Sequence, residues 1–186
     1  MRPIIESITG EFQRYKALAE AALHQLTDEQ LVAPAPNGGN SIATLCWHVG
    51  GNLRSRFTDF LTSDGEKPWR KREEEFAARP VTHAELLAHW EAGWGILLAT
   101  LAGLSDADLA RTVTIRGQPL RVDEALHRAL AHVSYHVGQV VYAARALRGS
   151  AWRFLSIPPG QSAAFDAAPQ RQAAAAHAAA LGKAAG

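Results

Sequence analysis

Apolar residues recur at helical spacing along four long stretches of this chain. In the first, Ile5, Ile8, Phe12, Tyr15, Leu18, Ala19, Ala22 and Leu26 share a face, which predicts a helix from about Ile4 to Leu26. Thr27 to Gln30 reads as a capping box opening a short helical turn. Pro34 to Asn40 is a loop by its turn chemistry. A second helix begins at Asn40 or Ser41, either of which can cap it. It runs to about Ser63, where Asp64 and Gly65 end it, and it buries Ile42, Leu45, Cys46, Val49, Leu53, Phe57 and Phe60. A third opens with a capping box at Thr82 and Glu85 and continues to about Ala102. Its buried side is Leu86, Leu87, Trp90, Trp94, Leu97, Leu98 and Leu101, while His83 and His89 fall on a polar face and read as surface. The fourth places Asp123 and Glu124 in its first turn, where the helix dipole favours acid. It runs to Leu147 or Arg148, with Gly149 just past its end.

Between these helices lie shorter pieces. Residues 64–80 form a long charged connection, read either as a functional loop or as a solvated crossover packed down by Trp69 and Phe76. The second of those readings is slightly preferred. Ser105 to Asp108 starts one further helical turn. Thr112–Ile115 and Leu120–Val122 read as two short strands about a turn at 116–119. A lone hairpin is marginal, so it should lie against the helices or a partner chain. Residues 152–165 are turn-rich. From Ala167 the chain is an alanine-rich tail, read as disordered or as a short helix over Gln170–Leu181. The layer architecture this allows is helix on helix: an all-α domain over 1–166 followed by the tail.

Composition narrows the function classes. A formal net charge of +1 leaves no electrostatic footprint for nucleic acid. No apolar run approaches the ~18 residues of a membrane span, and the N-terminus lacks a signal peptide's apolar region, so a cytoplasmic protein is expected. The single cysteine, Cys46, excludes an internal disulfide. Its place in the buried stripe makes it a small core residue rather than a nucleophile.

The candidate chemistry sits on the fourth helix. Val122, Ala125, Leu126, Ala129, Val133, Val137, Val140, Ala144 and Leu147 make a broad apolar arc, and His132 and His136 fall on one margin of it. Imidazoles one turn apart can converge on a divalent metal. They can equally be hydrogen-bonded histidines at a core edge, and spacing alone favours that reading, since HxxxH is common by accident. On the second helix His48, Asn52 and Arg56 form a polar strip beside the buried stripe. Gly50 and Gly51, in mid-helix, mark either a close approach or a tolerated weakness of about 1 kcal/mol each. Tyr135 points away from the two histidines on the helical wheel.

Three pieces together resemble a known group. Leu-Cys-Trp-His-Val-Gly-Gly-Asn holds His48, and His-x-x-x-His-Val-Gly-Gln holds His132 and His136. With Asn52–Pro68 and Ser156–Ser162, these motifs resemble one of the bacterial families of the DinB/YfiT-like superfamily of metal-dependent bundle proteins. The likeness runs from about residue 5 to 166, with Pro159 standing where a basic residue is expected. The resemblance implies a four-helix bundle of up-down-down-up connectivity with a small hairpin before its last long helix, often as a homodimer. It also implies a metal held by His48, His132 and His136. Relatives share a site more than a reaction, so activity transfers less well than fold or metal.

Three neutral imidazoles would leave a coordination position open, the mark of a catalytic metal, and zinc or nickel suits imidazole best. Such a site would activate a low-molecular-weight thiol or water against a small molecule, as a thiol S-transferase or a hydrolase. Asn52 and Gln139 could orient a ligand, and Arg56 could attract a carboxylate or simply pair with the loop. The alternative is a non-catalytic metal or small-ligand binder, such as a stress-response accessory protein.

Overall fold

The computed structural model of the chain describes residues 3–35, 38–166 and 173–185. It is mostly helical, with one two-stranded hairpin. Four long helices carry the core: α1 (Ile4–Leu23), α3 (Ile42–Phe57), α4 (His83–Ala102) and α5 (Val122–Arg148). Three shorter ones are α2 (Asp28–Val32), α6 (Ser162–Asp166) and α7 (Ala174–Ala185). The strands are β1 (Thr112–Ile115) and β2 (Gln118–Arg121). No helix among the described residues is long and apolar enough to cross a membrane.

The capping signals work as the sequence predicts. Thr27 and Gln30 form a reciprocal box at α2, Thr82 and Glu85 do the same at α4, and the Ser41 hydroxyl accepts from Thr44 N–H at the start of α3. Two helices end earlier than their stripes suggest. α1 stops at Leu23, because the next three residues form a tight turn that feeds the Thr27 cap. α3 stops at Phe57 rather than Ser63. There the Thr58 hydroxyl donates to Arg54 C=O, Asp59 adopts a positive φ of 49°, and the Thr62 and Ser63 hydroxyls both donate to Asp59 C=O. These local hydroxyl bonds compete with the helical ladder. Phe60 is buried all the same, so the apolar stripe outlasts the helix.

The core is continuous through the four long helices and includes Phe12, Leu53, Trp90, Trp94, Leu126 and Val137. α3 packs on both α4 and α5, and α1 packs on both α5 and α7. The α3–α4 contact is unusually close. A Cβ on Gly93 would lie 2.8 Å from the Gly50 Cα, so backbone meets backbone there. Gly50 is therefore a close-approach glycine. Across it His89 stacks on Trp47, with ring centroids 3.8 Å apart, and His89 Nε2–H donates to Trp47 C=O at 3.0 Å. His89 is thus not a surface residue, and His83 is half-buried with its ring 5.6 Å from that of His24. The helical wheel misses both because their cover comes from other elements.

The hairpin turn is two residues shorter than the pattern predicts. Ile115 pairs with Gln118, leaving Arg116 and Gly117 as a two-residue turn with φ of 55° and 71°. Asp64 holds that turn: its carboxylate accepts from Arg116 N–H at 2.9 Å and Gly117 N–H at 2.7 Å. Gly65 N–H donates to Thr114 C=O, so the charged connection and the hairpin brace each other. In the tail, α7 starts at Ala174, and residues 170–172 of the expected helix lie outside the described residues. Leu181 is buried, and α7 lies along α1.

Candidate metal centre

α3 and α5 bring three imidazoles together. His48 lies one turn past Thr44 on α3, and His132 and His136 lie a turn apart on α5. One ring nitrogen from each falls within 4.8 Å of the other two. His48 Nε2 and His132 Nε2 are 3.2 Å apart. Two metal–nitrogen bonds of 2.0–2.1 Å at a tetrahedral angle would hold their nitrogens about 3.3 Å apart. The donor set therefore could hold a divalent ion, and the His48–His132 pair already has the spacing of two such ligands.

Hydrogen bonds fix two of the three tautomers that such a site requires. A carboxylate or amide oxygen can only accept, so the ring nitrogen facing it must carry the proton. His48 Nδ1–H donates to Glu75 Oε2 at 2.8 Å, which leaves its Nε2 lone pair free toward His132. His136 Nδ1–H donates to Gln139 Oε1, also at 2.8 Å. His132 Nδ1 is buried with no hydrogen-bond partner among the described residues. Burial, and then the neighbouring His136 and His48 with Arg70 and Arg56 beyond, pushes His132 down to about 3. Burial also lowers His136, with Gln139 opposing and His48 adding to the shift. Both effects favour the neutral, metal-ligating imidazole.

Glu75 is the residue that sequence reading misses. It sits on a 3-10 turn, Arg72–Phe76, inside the charged 64–80 connection, yet it is buried. Arg70 grips it with Nε on Oε1 and Nη2 on Oε2, each at 2.8 Å, and the Arg70 side chain is only 2% exposed. Burial pushes the Glu75 carboxyl up, but the hydrogen bonds from Arg70 and His48 outweigh it, and the net shift is downward. The group is thus an anion aimed at a candidate ligand histidine, the arrangement that orients imidazoles where they do bind a metal. Gly51 makes room for it, since a Cβ there would overlap the carboxylate. Phe76 covers the His48 ring at 4.7 Å. Trp69, by contrast, is 48% exposed under Arg54, so it does not pack the connection down.

Other candidates fall into place around this cluster. Asn52 and Arg56 line a cavity of about 190 Å³ that has His48 and His132 in its wall. Arg56 also donates to Gly65 C=O at 2.5 Å and to Glu66 at 3.1 Å. Burial lowers the Arg56 guanidinium, Glu66 opposes that, and Arg70 and Arg116 add to it. Gln139 touches the site through His136. Tyr135 is 63% exposed, with its ring edge-on to His136 at 5.0 Å. Cys46 is fully buried, and burial pushes its thiol up to about 12, as suits an inert core residue.

Two comparisons with known proteins return nothing: no curated protein and no solved structure matches the chain. A third matches residues 2–161 to the family described as "Protein of unknown function (DUF1572)".

Proposed function

The chain belongs to the DUF1572 family, whose description names no activity, and from its histidine cluster we propose a metal-dependent protein acting on a small molecule. His48, His132 and His136 are its ligands, and zinc or nickel is the ion that three imidazoles suit best. The observation that carries this reading is the convergence of three buried or half-buried imidazoles, two of which, His48 and His136, have their outward nitrogens already bonded to Glu75 and Gln139. A core-edge histidine with a purely structural role has no need of two others facing it.

When bound, the ion supplies Lewis acidity, which makes a water or a thiol acidic enough to ionise near neutral pH. The chain's own residues do the rest. Glu75 and Arg70 hold the His48 ring in one tautomer, and Gln139 does the same for His136. The cavity beside His48 and His132 admits a substrate to the open side of the cluster, with Asn52 and Arg56 placed to orient it. A thiol transferase or a hydrolase is the reaction class this chemistry supports. The cavity favours an enzyme over the alternative, a non-catalytic binder.

The finer family placement is the DinB/YfiT-like superfamily, with α1, α3, α4 and α5 as its four-helix bundle in up-down-down-up order. Its support is the pair of histidine motifs and the packing of α3 on α4 and α5 and of α1 on α5. A homodimer fits the exposed Tyr135 and Tyr142, two turns apart on α5.

Elemental analysis of freshly purified protein tests the centre. We predict one divalent ion per chain in wild type and its loss in His48→Ala and His132→Ala. Absence of a stoichiometric metal in wild type would overturn the site. Turnover of a panel of thiols and electrophiles above the His132→Ala control then separates enzyme from binder.

A further inference from the structure

The cavity next to the imidazoles is walled by arginine. Five guanidiniums line it, from Arg56, Arg70, Arg72, Arg116 and Arg128, and no aspartate or glutamate does so among the described residues. Their ion pairs cover only part of that charge. Glu66 serves both Arg56 and Arg116, Glu75 serves Arg70, and Glu73 serves Arg72. Arg128 has no carboxylate partner among the described residues. Five cations against these three anions, with the Asp64 carboxylate on the Arg116–Gly117 turn as a fourth nearby, still leave a positive surplus on one small concavity.

The helices explain why these groups face the same space. Arg128, His132 and His136 follow at four-residue steps on α5, and His48, Asn52 and Arg56 do so on α3. Each helix therefore presents a strip that is imidazole at one end and guanidinium at the other. At 1.5 Å of rise per residue, Arg128 stands about 6 Å along the axis from His132, and Arg56 about 12 Å from His48. Both side chains are long enough to reach back into the cavity. Ile115, Phe57, Phe60, Ala125 and Ala129 supply an apolar wall between.

We propose that this cavity holds a small oxyanion-bearing molecule, a carboxylate or a phosphate, with Arg128 and Arg116 gripping its charged end and its other end toward the three imidazoles. This names the substrate class of the metal centre and rests on that reading for its chemistry. The planar guanidinium fork matches both oxyanions. At about 190 Å³ the space suits a compact organic acid, below the usual 300–1,000 Å³ of sites for larger ligands.

The test is calorimetric titration of metal-free protein, because a bound ion would itself attract the anion. Succinate, inorganic phosphate and the neutral succinamide are the probes. The expected result is saturable binding of one or both anions and none of succinamide. Preference for succinate or for phosphate assigns the headgroup. Arg128 is exposed and has no carboxylate partner among the described residues, so Arg128→Gln should fold with an unchanged melting temperature and bind the anion at least tenfold more weakly. No saturable binding of either anion to wild type, or equal affinity in Arg128→Gln, overturns the proposal. Zinc uptake is measured separately by titrating zinc into the same metal-free preparations. Anion binding without metal uptake would sink the metal reading alone, and metal uptake without anion binding would sink this one alone.

Discussion

Gly51 and Glu75 fit against each other: the space where a side chain on residue 51 would begin is taken by the Glu75 carboxyl, whose Cδ would lie 2.9 Å from a Cβ there. One missing methyl group thus lets a charged loop reach a histidine on α3. Gly51→Ala should push Glu75 off His48. Loss of such an outer hydrogen bond typically weakens metal affinity about 10–100-fold, and competition with a chelator would measure it. Alanine is the better helix former by about 1 kcal/mol, so a simple helix-propensity effect would stabilise the protein instead. A variant that melts higher and binds zinc unchanged would refute the role given to Glu75.

The Arg70–Glu75 pair offers a second check, on stability. Both side chains are almost fully buried, and removing one partner strands the other's charge. Glu75→Ala should cost about 3–5 kcal/mol in denaturant unfolding, the usual penalty for breaking a buried pair. Glu75→Gln keeps an acceptor for His48 and should cost less. Equal, small effects from both variants would mean that the connection is only loosely seated.

How much of this was legible beforehand depends on which physical term decides each feature. The four helices and the positions of His48, His132 and His136 follow from periodicity and caps, which are local. Glu75 was hidden because Arg70 to Glu75 reads as solvated charge, and only a tertiary close approach buries it. Its one sequence signal was Gly51, a mid-helix glycine three residues past His48, whose cause the sequence leaves open. His89 was misread for a similar reason: its cover is Trp47 and the space at Gly50, both on another helix. The early end of α3 was masked by Phe60, which keeps the apolar rhythm after Thr58 and Asp59 have left the helix.

The α3–α4 approach predicts a substitution that acts on the fold through backbone packing. A Cβ on Gly93 would meet the Gly50 backbone, which cannot rotate aside as a side chain would. Gly93→Ala should therefore destabilise by about 1–3 kcal/mol, as overpacking does, despite alanine's better helix propensity. Gly95 has open space at the same test, so Gly95→Ala should stabilise slightly and serves as the control. Thermal melts of the pair in parallel decide it, and equal shifts would contradict the close contact.

Acid should loosen the metal-free protein before its carboxylates titrate. Burial lowers His89, with Arg79 adding to the effect and the hydrogen bond to Trp47 opposing it. Burial, with His24 next and Asp28 opposing, lowers His83. The sign follows from proton counting. Below the ordinary histidine value of about 6.5 the unfolded chain takes up protons that the folded one refuses, so stability falls as pH falls. The loss begins near that value and continues down to the lowered folded-state values. Denaturant midpoints taken from about pH 7 to about pH 5 should decline in wild type. His89→Gln keeps an N–H for Trp47 C=O but cannot titrate, so its midpoints should decline less steeply. Parallel curves for the two proteins would show that His89 takes up its proton as readily folded as unfolded, against the burial described for it.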